Sequence, residues 1–155
     1  MEITGLPLHP LVVHAVVVLG PLAALVGLAY ALMPRWRWLL RWPLVGLSLI
    51  VAVSALLAVA AGESLLEARP ELEPLVVEHE EWGERFRIAA VLFVGTSFFA
   101  AWALGGPSSL TSGRGAKESR GILGWIALVL LVASSAGLLA LVVLAGDSGS
   151  RAVWG

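Results

Sequence analysis

The chain has 155 residues, of which 59% are apolar and 14% charged; its formal net charge is −1 and it contains no cysteine. This composition excludes an ordinary soluble domain and is typical of a membrane protein. The near-neutral charge, with no basic patch, excludes nucleic acid as a partner. Without cysteine there are no disulfides, thiolate sites or covalent haem attachment, so any metal or haem must be held by histidine, carboxylate or methionine.

Four apolar segments follow one another along the chain, at 11–33, 44–61, 88–104 and 122–145. Each is close to the ~20 residues that cross a hydrocarbon core, and a backbone in lipid must bond to itself as a helix. The sequence therefore predicts an all-α bundle of four transmembrane helices in a lipid bilayer. We expect one membrane domain over residues 1–155, with helices at about 9–33, 43–62, 75–105 and 121–146.

The connections between these helices carry opposite charges. Arginine and lysine lie in 34–43 and 105–121, at Arg35, Arg37, Arg41, Arg114, Lys117 and Arg120, whereas eight glutamates lie in the acidic segment 62–84. Because short basic loops stay on the cytoplasmic side, both termini and the acidic loop are predicted to lie outside. This N-out, C-out arrangement is expected for a multi-pass protein of a bacterial inner membrane.

The three histidines all fall near the predicted outer ends of helices one and three. Along the start of the third helix, Leu75, His79, Trp82 and Phe86 recur at spacings of four, three and four, which places them on one helical face. This stripe predicts a helix that begins near Pro74, with His79 directed into the bundle and Leu75 buried.

Either His9 or His14 could pair with His79. Counting from the inner helix ends at 1.5 Å per residue puts His9 at roughly 35 Å, His14 at roughly 27 Å and His79 at roughly 38 Å. That count favours His9 but assumes equal helix tilt, so both pairings stay open. His9 and His14 are ~140° apart around a helix and cannot share one small ligand unless Pro10 ends the helix between them.

Three short motifs resemble the DUF2231 family of bacterial four-helix membrane proteins. They are His9-Pro10-Leu11-Val12-Val13-His14, Ala61-Gly62-Glu63 and Glu78-His79-Glu80-Glu81-Trp82-Gly83. The resemblance covers most of the chain, and its most specific part is the opening with two histidines. It implies association with redox domains such as Rieske proteins, and therefore electron transfer.

Two cofactor hypotheses follow from the histidines. In the first, haem b is held by His79 and either His9 or His14, with Trp82 beside it in an apolar cleft. In the second, a divalent metal such as Zn²⁺ or Cu²⁺ is held by His79 and either His9 or His14 together with a carboxylate such as Glu63 or Glu78.

The alternative is a non-catalytic membrane scaffold, in which the histidines only pack helix ends or dock a redox or membrane protein partner, or a second copy of the chain. Transport is disfavoured because no acid or base lies in the middle of a span. No nucleophile motif or phosphate loop is present, so we expect no independent enzymatic activity.

Overall fold

The fold contains four long helices, as described by a computed structural model for residues 2–3, 6–105 and 121–154. The helices are α1 (Leu8–Leu32), α2 (Arg37–Ala68), α3 (Glu73–Ala103) and α4 (Ile122–Trp154). Two short strands, β1 (Glu2–Ile3) and β2 (Leu6–Pro7), pair antiparallel before α1. All four helices are long and apolar enough to cross a membrane. The prediction of an all-α, four-transmembrane-helix bundle is confirmed.

The helices pack as a square bundle. Helix α1 lies against α2 and α4, and α3 lies against the same two helices, so α1 and α3 occupy diagonal corners. Large side chains that are fully buried between them include Tyr30, Leu44, Phe93, Leu131 and Leu138. Many other large apolar side chains point outward, as expected where the surrounding solvent is lipid.

The acidic segment 62–84 is mostly helical. Helix α2 continues to Ala68, a 3₁₀ turn spans Pro70–Leu72, and α3 begins at Glu73. Proline forces the residue before it out of the helical conformation, and Arg69 accordingly has φ −141° and ψ 71°. The acidic region is therefore two helix ends joined by a tight turn. Helix α4 likewise runs beyond 146, to Trp154.

The basic segment 105–121 was predicted as a cytoplasmic loop. Its residues 106–120, with Arg114, Lys117 and Arg120, lie outside the described part of the chain. The other basic connection is short: α1 ends at Leu32, a 3₁₀ turn covers Pro34–Trp36, and α2 starts at Arg37.

Hairpin 1 (α1 and α2) and hairpin 2 (α3 and α4) repeat one another. Buried positions of α1 recur 70 positions later in α3, and those of α2 recur 87 positions later in α4. The pairs are Val16 with Phe86, Ala23 with Phe93, Tyr30 with Ala100, Leu44 with Leu131, Ser48 with Ser135, Val51 with Leu138 and Ala55 with Val142. Both hairpins start at the same end, so an approximate twofold axis runs along the bundle, as in parallel repeats of membrane proteins.

One packing prediction was wrong. Leu75 was placed on the buried stripe of α3, but it is 61% exposed. The position equivalent to Leu75 in hairpin 1 precedes α1, which starts only at Leu8. The bundle therefore lacks one of its four helices at the level of Leu75, one turn before His79.

Candidate functional site

His9 of α1 and His79 of α3 meet at one end of the bundle. Their ring centroids are 6.0 Å apart and the ring planes cross at 85°. The two residues are 70 positions apart, the same offset that relates the buried positions of α1 and α3. Both side chains are half-buried. The histidine pair therefore sits at equivalent places of the two hairpins, on diagonal helices, close to the approximate twofold axis.

Each histidine bonds to a backbone carbonyl of the second helix in its own hairpin. His9 Nδ1 lies 2.8 Å from the Ala58 oxygen, and His79 Nδ1 lies 3.0 Å from the Ala145 oxygen. A carbonyl can only accept, so Nδ1 of each ring must carry the hydrogen, and a neutral ring then keeps a lone pair on Nε2. Within the described residues, no hydrogen bond occupies Nε2 of His9 or His79.

A glycine lies beneath each imidazole, one turn after the accepting carbonyl. A Cβ atom on Gly62 would be 3.2 Å from His9 Nδ1, and one on Gly149 would be 2.9 Å from His79 Cε1. Ala58 and Ala145 are 87 positions apart, as are Gly62 and Gly149. In each hairpin, a histidine therefore packs against the same Ala-x-x-x-Gly pattern.

The two halves of the site differ at one neighbour. Ser148 Oγ of α4 lies 3.4 Å from His79 Nδ1 and donates a hydrogen bond to the Ala145 oxygen. The equivalent position in α2 is Ala61, which is also buried but carries no hydroxyl. His79 thus has a polar neighbour that His9 lacks.

His14 lies away from the pair. Its side chain is exposed, and its Nδ1 is 2.5 Å from the Pro10 oxygen of its own helix. Proline is tolerated in the first turn of a helix, so α1 continues through Pro10 and the ~140° separation between His9 and His14 is retained. Of the two partners left open by the sequence, the structure brings His9 to His79.

Two further candidates follow site residues closely along the chain. Trp82 is half-buried, and the Arg85 guanidinium lies 4.5 Å from its ring centroid. Glu63 follows Gly62 and is exposed. Within the described ranges, no three His, Asp or Glu side chains converge to hold a metal ion. The structure therefore supplies two imidazoles at this end and no third ligand among the described residues.

Charged side chains around this end pair with one another at the surface. Arg151 lies 2.7 Å from Asp147 and 3.4 Å from Glu78, while Arg85 lies 3.1 Å from Glu81. All are more than half exposed. Exposed pairs of this kind contribute little to stability, so they do not by themselves account for the geometry of the two histidines.

Comparison with known proteins places this bundle in a family. The family model of DUF2231, described as a predicted membrane protein, matches residues 5–155. The chain belongs to the DUF2231 family. Neither the curated proteins nor the solved structures contain a significant match to it. The predicted resemblance is confirmed over nearly the whole chain, and this DUF2231 protein is an integral membrane protein.

Sequence reasoning identified His9 and His79 as site residues, and Ala58 and Gly62 as small residues of the second helix, but it did not connect Ala58 or Gly62 with a histidine and missed Ala145, Ser148 and Gly149. A signal was present: Ala-Val-Ala-Ala-Gly at 58–62 and Ala-Gly-Asp-Ser-Gly at 145–149 share alanine and glycine at the same spacing. The pattern carries meaning only once a histidine is known to lie on each copy, because small residues four apart are common wherever membrane helices approach closely.

Proposed function

We propose that the protein is a membrane electron-transfer subunit that holds one haem b between His9 and His79. The observation that carries the proposal is the paired geometry: two imidazoles on diagonal helices, each fixed through Nδ1 to a carbonyl, with both Nε2 atoms left for iron. Histidines that ligate metals usually donate the other ring N–H to a carbonyl or carboxylate, which fixes the tautomer. Cofactor sites in helical bundles are commonly built from side chains on facing helices.

The separation of the rings would suit two imidazoles that hold one metal ion. Metal–nitrogen bonds of about 2.0 Å and an imidazole radius of about 1.2 Å put the centroids of two opposed ligands about 6.4 Å apart. The observed separation is 6.0 Å. Two ligands at a tetrahedral angle would instead have centroids about 5.2 Å apart. The rings are therefore spaced closer to a linear arrangement than to a tetrahedral one.

The number of ligands favours haem over a protein-held zinc. A structural zinc needs four protein ligands and a catalytic zinc needs three, whereas haem iron needs only two axial ligands. Two imidazoles converge here, and the described residues add no third ligand. Glu63 is exposed, and the Trp82 ring is in contact with the Arg85 guanidinium, so neither residue is assigned as a ligand.

His9 and His79 would hold the haem, which would supply one-electron transfer between a reduced carrier, such as an iron–sulfur protein, and an oxidised one. The protein would hold the iron at the end of the bundle, within reach of a carrier at the membrane surface.

The direct test is the visible spectrum of the purified protein with and without added haemin. We expect a Soret band, sharp α and β bands on reduction, and loss of these bands in His9→Ala and His79→Ala. His14→Ala is the matched control and should retain them. A colourless wild type that binds neither haemin nor metal would favour the scaffold, in which the imidazoles only pack the helix ends.

We further propose that the histidine pair lies on the outer side of a bacterial inner membrane. The positions of Arg35, Arg37 and Arg41 at the opposite end of α1 and α2 support this orientation. An alkaline phosphatase reporter fused after Gly155 should be active, and the same reporter fused within 105–121 should be inactive. Activity in the second fusion alone would reverse the orientation.

A further inference from the structure

The two glycines beneath the histidines are the most specific part of the repeat. We propose that Gly62 and Gly149 are positioning residues, which hold His9 and His79 as Nδ1–H tautomers and so present both Nε2 atoms to the same ligand. This inference deepens the haem proposal and rests on it for the identity of the ligand. The orientation of the imidazoles can be tested without any haem.

The argument begins with the space that each imidazole needs. Each imidazole that bonds through Nδ1 to the Ala58 or Ala145 carbonyl also lies against the helix surface one turn further on. Gly62 and Gly149 occupy that surface. A Cβ at Gly149 would come within 2.9 Å of His79 Cε1 and 3.0 Å of Nδ1, too close for the ring to stay where it is.

Hairpin 1 has slightly more room. A Cβ at Gly62 would lie 3.2 Å from His9 Nδ1 and 3.3 Å from Cε1. A shift of a few tenths of an ångström would relieve this contact, whereas His79 would have to move further. Alanine at Gly149 should therefore disturb its histidine more than alanine at Gly62.

The second step links ring position to tautomer. If a ring is pushed off its glycine, the Nδ1–H···O=C bond lengthens and no longer selects the Nδ1–H form. The Nε2–H tautomer then becomes populated, and its Nε2 has no lone pair for a metal. Loss of a contact that orients a ligating histidine typically lowers metal affinity 10–100-fold.

Other glycines provide matched controls. An added Cβ at Gly146 in α4, or at Gly46 in α2, would meet no atom within 4 Å. Gly146→Ala and Gly46→Ala change the same residue type in the same helices without touching a histidine. Ser148→Ala makes hairpin 2 resemble hairpin 1, where Ala61 takes this place, and should leave the His79 tautomer intact.

The experiment is ¹⁵N NMR of histidine-labelled protein in micelles at pH 8, with His14→Ala used to simplify the spectrum. We expect two Nδ1–H tautomers in that background, loss of the His79 pattern in Gly149→Ala, a smaller change of the His9 pattern in Gly62→Ala, and no change in the controls. An Nε2–H tautomer for either histidine before any glycine is changed would overturn the inference, and so would an unaltered pattern in Gly149→Ala.

Haemin titration of the same variants gives the second measurement. Gly149→Ala should bind haemin 10–100-fold more weakly than Gly146→Ala. If no variant binds haemin but the tautomers change as expected, haem is the wrong ligand and the positioning role stands. If haemin binds equally to all variants while the tautomers stay fixed, the positioning role is wrong and the haem site stands.

Discussion

Polar side chains make different kinds of contact at the two ends of the bundle. We call these the arginine end, which contains Arg37, and the histidine end, which contains His9 and His79. At the arginine end, Arg37 is 5% exposed and bonds through Nε and Nη2 to the Tyr30 and Ala31 oxygens at the end of α1. At the histidine end, His9 and His79 reach carbonyls of other helices, 49 and 66 positions away. Arg37 closes a local turn, whereas the histidines connect distant segments.

The approximate twofold symmetry also differs between the ends. His9, Ala58 and Gly62 have counterparts in His79, Ala145 and Gly149, but the position of α4 equivalent to Arg37 is the buried Gly124. Arg37 therefore has no arginine counterpart in hairpin 2. The Arg37 contact occurs once, beside a turn, and stabilises that turn. The histidine arrangement occurs twice around the axis and brings two imidazoles together, as the proposed shared ligand would require.

The sharpest test of this contrast is Arg37→Ala. It removes a buried cation and leaves helix-end carbonyls without their donors, which should lower the free energy of unfolding by about 2–4 kcal/mol. Unfolding in mixed micelles measures the change, and the exposed Arg35→Ala serves as the control. Haemin binding should persist in micelles in which Arg37→Ala stays folded; loss of haemin there would show that the two ends are not separate.

Acid should act on the histidine end alone. Ligation needs neutral imidazole. Because protons compete with the metal for Nε2, haemin affinity should fall as the pH is lowered and level off where both rings are neutral. The arginine end stays charged throughout. Haemin titration from pH 5 to 8 checks the sign, and a flat profile would contradict ligation by histidine.

Removal of a histidine should change function much more than stability. Each ring is half-buried and makes one good hydrogen bond, so His9→Ala or His79→Ala should cost about 1 kcal/mol of unfolding free energy. Unfolding in the same micelles, without haemin, measures it. A loss of unfolding free energy comparable to that of Arg37→Ala would indicate that the main role of the histidines is to stabilise the fold.

The smallest effect is expected at the surface beside His79. Arg151→Ala removes contacts to Asp147 and Glu78, all more than half exposed, and should cost less than about 1 kcal/mol. The difference from wild type should shrink as salt is added. A salt-independent loss larger than that of His79→Ala would mean that Arg151 has a structural role that the exposed contacts do not show.

Much of the fold could be predicted because hydropathy along the sequence identifies transmembrane helices. The apolar runs 11–33, 44–61, 88–104 and 122–145 each fell within an observed helix except at Met33 and Leu104, which directly follow the ends of α1 and α3. His79 could be directed into the bundle from the spacing to Phe86, which is 3% exposed. The prediction that Leu75 is buried was wrong because periodicity indicates which face of a helix is buried but not how far the other helices of the bundle extend.

The chain by itself determined the number of helices, their apolar character and the presence of histidines near one end, because lipid forces long apolar segments into helices whatever their neighbours. Only the tertiary structure decided that His9 and not His14 meets His79, that Gly62 and Gly149 lie beneath them, and that the two hairpins are related by an approximate twofold axis. These features depend on helix rotation and register, which arise from contacts between residues 49 to 70 positions apart. Hydropathy along one segment carries no information about those contacts.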